Sequence, residues 1–225
     1  TSMSLRSLGF GIIGIFVPIF LYSKEVPIAG IFWFFLWVFL LRIPLSICMA
    51  FVVGRIGPKH GIALSTLLFL VFLGMLLTFE SVRWPLIALA LAFTVSNGLF
   101  FLSYHTDFSE VKNTKHGGKE LGWLYTFERF GGALGPLLGG LAASLVAPEA
   151  SIVLAIIVLG VSLIPLFLTN EPVKLHQKIT YSGFPWRRHT RDFVAMTGAH
   201  LDNSSSQFVW PLFVSVIVFG GGAYA

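Results

Sequence analysis

Apolar residues in this chain run in seven long blocks, broken by short polar stretches. They cover residues 5–22, 28–53, 61–79, 84–104, 121–146, 151–169 and roughly 198–218. A helix needs about 20 mostly apolar residues to cross the ~30 Å hydrocarbon core of a bilayer. Within that core every backbone N–H and C=O must find a partner inside the protein, so apolar runs of this length predict helices. The pattern predicts an all-α, polytopic transmembrane helical bundle.

Composition removes the main alternative. Hydrophobic residues make up 56% of the 225 and charged residues 11%, with a mean hydropathy of +0.84. A soluble domain carries about 25% charged residues, so this chain has too few to cover a water-facing surface. The first block is not expected to be a cleaved leader, because Ser23-Lys24-Glu25-Val26-Pro27 lacks a small-residue cleavage pattern. The single cysteine, Cys48, lies within the second block and excludes a disulfide framework.

The net charge of +5 is explained by where the charges sit. Loops 54–60, 105–120 and 170–192 carry Arg55, Lys59, Lys112, Lys115, Lys119, Lys174, Lys178, Arg187, Arg188 and Arg191, whereas 23–27, 80–83 and 147–150 carry only Lys24 and Arg83. Lys and Arg accumulate on the cytoplasmic side. The asymmetry predicts a cytoplasmic N-terminus, a multi-pass protein of the plasma or inner membrane, and no nucleic-acid partner.

The breaks divide the chain. Residues 1–169 are expected to form a six-helix bundle, 170–192 a cytoplasmic linker, and 193–225 the first helix of a second bundle. A faint repeat supports this: Phe16-Val17-Pro18-Ile19-Phe20 resembles Val209-Trp210-Pro211-Leu212-Phe213. Parallel repeats are one transporter design. The chain is therefore expected to lack most of its C-terminal half, which would be its partner.

The fifth block contains Gly131, Gly135, Pro136, Gly139 and Gly140, spaced G-x-x-x-G-P-x-x-G-G. Helical periodicity stacks Gly131, Gly135 and Gly139 on one face, where another helix can approach closely. Pro136 removes one backbone bond. An ordinary packing seam is one reading. The spacing also resembles the helix-5 motif of the major facilitator superfamily, best known in its proton-coupled antiporters, and all five positions match. In the loop after the second block, Arg55, Gly57 and Lys59 resemble the same superfamily's G-x-x-x-D-R-x-G-R-K. Ala50, Gly54 and Pro58 depart from it, so the acidic partner of the family's cytoplasmic latch is missing; Asp107 is the expected substitute. The resemblance implies alternating-access transport of a small solute between two six-helix bundles, with proton-coupled efflux as the expected mode. Uptake or facilitated diffusion is the alternative within the class. The resemblance names no substrate.

Polar residues inside the blocks are candidates for the solute or proton pathway. A central Arg costs roughly 2.5–3.5 kcal/mol on insertion scales and should face a partner or a watery cavity; Arg42 is in that position. Glu128 falls on the glycine face of the fifth helix, with Arg129 turned about 100° away. Structural ion pairing is an alternative for all three, and snorkelling for Arg129. At about 1.5 Å per residue, Arg42 and Glu128 differ in depth by roughly 6 Å, so they are expected to face the interior and share a polar cavity. Asn97 is read either as facing the cavity or as making an interhelical bond. In the seventh block Asp202, Asn203 and Gln207 belong to six consecutive polar residues that cannot all face lipid; Asp202 at the membrane surface is the competing reading.

Enzyme chemistry is poorly supported. His105 and Asp107 supply two ligands where zinc needs three or four, and there is neither a G-x-S-x-G turn nor a phosphate-binding G-x-x-x-x-G-K-[ST]. No metal, cofactor or catalytic residue is expected. A membrane-embedded hydrolase using helices 4 and 7 is the reading from another class.

Overall fold

The computed structural model describes residues 2–111, 117–168 and 186–218, apart from the side chains at 110, 111, 120, 186, 199–205 and 207. The helices are α1 (Ser2–Gly14), α2 (Phe16–Ser23), α3 (Ile28–Ile56), α4 (Pro58–Leu77), α5 (Phe79–Val82), α6 (Leu86–Val111), α7 (Gly117–Leu145), α8 (Pro148–Phe167), α9 (Thr190–Ser204) and α10 (Trp210–Phe213). A 3-10 turn, Trp186–His189, precedes α9, and π-helical turns Ser205–Val209 and Val214–Val218 flank α10. Among the described residues there is no strand, and five stretches are long and apolar enough to cross a membrane.

Several boundaries differ from the sequence pattern, each for a local reason. The first block is two helices, α1 and α2, broken at Ile15. Pro18 has no N–H to give the carbonyl four residues back, and its ring crowds that carbonyl. The expected loop 54–60 shrinks to one residue. Gly57 holds φ 85°, a value glycine tolerates, and Pro58 begins α4 at its first turn, where a missing N–H costs nothing. Arg55 thus ends α3 and Lys59 begins α4. Helix α6 runs past Tyr104 to Val111 and carries His105 and Asp107 with it. The last block begins at Thr190, eight residues before its apolar part, inside the expected linker.

Helix α1 lies against α7 and α8; α4 packs between α6 and α8; α3 packs on α6. The core holds Phe20, Phe34, Phe69, Phe72 and Phe93, with ring centroids of Phe72 and Phe93 5.1 Å apart. Side-chain bonds to backbone carbonyls tie the helices. Ser2 Oγ donates to Ser162 O at 2.7 Å and Thr94 Oγ1 to Val38 O at 3.1 Å. By contrast, Phe32, Trp33, Leu36, Leu40 and Ile43 of α3 are exposed apolar side chains, the surface expected beside lipid or a second bundle.

Candidate transport site

The glycine face of α7 is in direct contact with α1. Gly131, Gly135 and Gly139 are all buried. A Cβ at Gly131 would lie 2.8 Å from Ser4 O, one at Gly135 would strike the backbone of Gly11 and Ile12, and one at Gly139 would strike Ile12 O. The seam is reciprocal, because a Cβ at Gly11 would lie 2.9 Å from Gly132 O. Gly132 O is the carbonyl that Pro136 cannot bond, so the proline frees an oxygen where α1 passes. Pro136 and Gly140 are half-buried beside the seam.

One turn before the seam, Ser7 Oγ donates to the Glu128 carbonyl at 2.7 Å. The Glu128 carboxylate turns toward α6, where the Tyr104 hydroxyl donates to Oε2 at 3.4 Å, long for an O–H···O bond. Tyr104 stacks on Phe100 at 5.7 Å, and Phe100 lies under the guanidinium of Arg6, with Cζ 3.8 Å from the ring centroid. Arg6 Nη1 also donates to Thr66 Oγ1 on α4. Arg6, Thr66, Phe100, Tyr104 and Glu128 therefore join α1, α4, α6 and α7 in one polar group inside the bundle.

Arg6 was not among the residues that sequence reasoning selected. A single arginine in the second turn of an apolar block reads as an interfacial side chain that snorkels outward. The structure turns it inward: it is 4% exposed, and Thr66 lies eight residues into α4, roughly 12 Å along that helix. Among the described residues no carboxylate lies within ion-pair distance of it.

Arg42 and Glu128 are not brought together. Arg42 lies over Phe101 at 5.5 Å from the ring centroid, while Glu128 meets Tyr104, so they contact neighbouring residues of α6 rather than each other. Asn97 is buried, and its Nδ2 donates to Phe93 O at 3.1 Å, a bond within α6 rather than between helices. Arg129 is exposed. Arg55, Gly57, Lys59 and Asp107 lie at the end of the bundle where α3 and α6 finish and α4 begins. Asp202, Asn203 and Gln207 have side chains outside the described residues, as do the 112–116 part of the fourth loop and 170–185 of the linker. Ser103 has a buried hydroxyl without a hydrogen-bond partner, pressed against Gly61. Among the described residues no group of three His, Cys, Asp or Glu side chains could hold a metal ion.

At the opposite end, Lys24 Nζ bridges two hairpins, 2.9 Å from Glu80 Oε1 and 2.7 Å from Glu149 Oε1. Burial lowers the proton affinity of Lys24, but the hydrogen bonds and charges of Glu149 and Glu80 outweigh it and hold the ammonium above its ordinary value.

Long apolar helices, packed through a glycine seam and carrying charged side chains between them, define a multi-pass helical membrane protein. The family model of the Major Facilitator Superfamily matches residues 1–225, so the chain belongs to that superfamily. It is a membrane transporter, made to lie in a lipid bilayer and move a small-molecule substrate; the superfamily consists of transporters, not enzymes. No curated protein and no solved structure matches it.

Proposed function

We propose that this chain acts in secondary active transport, coupling proton movement to export of a small solute by alternating access. In this reading residues 1–169 are the N-terminal bundle, 170–192 a cytoplasmic linker, and 193–225 the first helix of a C-terminal bundle that completes the transporter in the plasma or inner membrane. The observation that carries it is Glu128: an ionisable carboxyl on the helix whose glycine face packs against α1, met by a hydroxyl from α6. A carboxyl there can take up and release protons while the helices around it shift. The match of the α7 glycines to the motif best known in antiporters supports the export direction. Arg55 or Lys59 with Asp107 would form a latch at the cytoplasmic end. Such an exposed pair is worth about 0–1 kcal/mol, enough to bias an equilibrium between states but not to hold the fold.

The complete transporter in sealed vesicles tests this reading. An imposed pH gradient should drive solute flux that a protonophore abolishes. Flux down the solute gradient, indifferent to pH and protonophore, would replace coupling with facilitated diffusion. Conversion of a substrate in detergent, with no membrane barrier, would favour the hydrolase instead.

A further inference from the structure

Arg6 carries a positive charge into the bundle, and among the described residues no carboxylate lies close enough to compensate it. Ionisable residues inside a span pair with one another or mark the path of a charged solute. A guanidinium has five N–H donors; the one bond described from Arg6 goes to the neutral hydroxyl of Thr66. The guanidinium also lies over the face of Phe100, whose ring offers only partial negative character in place of an anion. An apolar side chain of similar size would fill the same space without the cost of burying a charge. Snorkelling does not account for it, since the head reaches inward to Thr66 and is 4% exposed. The same burial turns it away from lipid.

We infer that Arg6 recognises a carboxylate on the transported solute, with Phe100 as the ring that covers the guanidinium when no anion is bound. The inference rests on the transporter reading and supplies its substrate class. One guanidinium balances one negative charge, which favours a monocarboxylate over a dianionic phosphate. Its planar fork meets a carboxylate through two parallel bonds, which a lysine cannot do. Thr66 stays bonded to the guanidinium and fixes its plane. Phe100 is only half-buried, so turning its ring uncovers Arg6 without opening the aromatic core.

The test uses the purified complete transporter with lactate, pyruvate and benzoate as probes and their methyl esters as uncharged controls. Binding is read by thermal shift in neutral detergent and in phosphatidylcholine vesicles, without any gradient. At least one acid should bind saturably, its ester at least about tenfold more weakly. Arg6→Gln should weaken the acid about ten- to a hundredfold, the range for losing a charge-assisted hydrogen bond. Arg6→Lys should fall between, and Phe100→Leu should bind as well or better. No acid binding by the unaltered protein, equal binding of acid and ester, or unchanged affinity in folded Arg6→Gln would each overturn the inference. Should Arg6→Gln fail to fold, unchanged affinity in Arg6→Lys overturns it. Stabilisation by phosphatidylglycerol that depends on Arg6, without response to the free acids, would assign the site to a lipid headgroup and reject the solute. Because no gradient is used, retained acid binding without pH-driven flux would refute proton coupling and leave the role of Arg6 standing.

Discussion

Gly135 has no room for a methyl group, because the space where its Cβ would stand is taken by the backbone of Gly11 and Ile12. Gly135→Ala should therefore separate α1 from α7 and destabilise the protein by about 1–3 kcal/mol, the usual cost of overpacking. Gly74→Ala and Gly160→Ala, where a Cβ would meet nothing within 4 Å, should stay within about 0.5 kcal/mol. Thermal unfolding of the three variants in one detergent checks this; equal losses would remove the seam from the account. Lys24→Met should cost about 0–1 kcal/mol, because Glu80 and Glu149 are well exposed. Lys24 is held above its ordinary value, so its contribution is complete below the unfolded lysine value of 10.5 and fades as pH rises through the folded value. The difference in melting temperature between Lys24→Met and the unaltered protein should be constant from pH 7 to 9 and shrink above about 10.5. A difference that grows with pH would contradict the assignment. The seam was legible in the sequence because three glycines at a spacing of four must share a helix face. Arg6 was not, since spacing along one helix carries no information about which neighbouring helix supplies a hydroxyl and a ring.

At the scale of the element, five of the seven apolar blocks coincide with helices long and apolar enough to cross a membrane among the described residues, but hydropathy did not show how each one starts and stops. Those ends depend on local chemistry: Pro18 breaks the first block, and Gly57 with Pro58 turns α3 into α4 without an intervening loop. Polar turns are invisible to an apolar window, so the start of α9 at Thr190 and the extension of α6 to Val111 were missed. The last helical segment meets the first bundle through Phe208, whose ring lies against Phe35 and Phe39 of α3. Phe208 stacks on Phe35 with centroids 4.0 Å apart, and Leu212 joins the buried cluster. Cysteines at 35 and 208, placed in a Cys48→Ser background, should be joined in membranes by a bismaleimide whose spacer takes the place of the two stacked rings. Phe208→Ala should leave the segment more open to protease. Failure to cross-link with or without solute would show that the segment does not rest on α3.

At the scale of the whole molecule, the lopsided basic residues predict an orientation that a helical bundle alone does not. Single cysteines at 55 or 59 should react with a membrane-impermeant maleimide only from the cytoplasmic face, and one at 83 only from the other; the reverse pattern would invert the topology. The bundle also explains why Glu128 was legible and its partner was not. A carboxyl beside a glycine face is visible in one helix, whereas Tyr104 reaches it from a helix 24 residues away in sequence. In the proposed mechanism, transport depends on that carboxyl taking and releasing a proton as the site changes sides. The most direct measurement is solute movement by Glu128→Gln in sealed vesicles, read both as pH-driven flux and as solute exchange without a gradient. The account predicts that pH-driven flux is lost while exchange persists; pH-driven flux at the unaltered rate would contradict it.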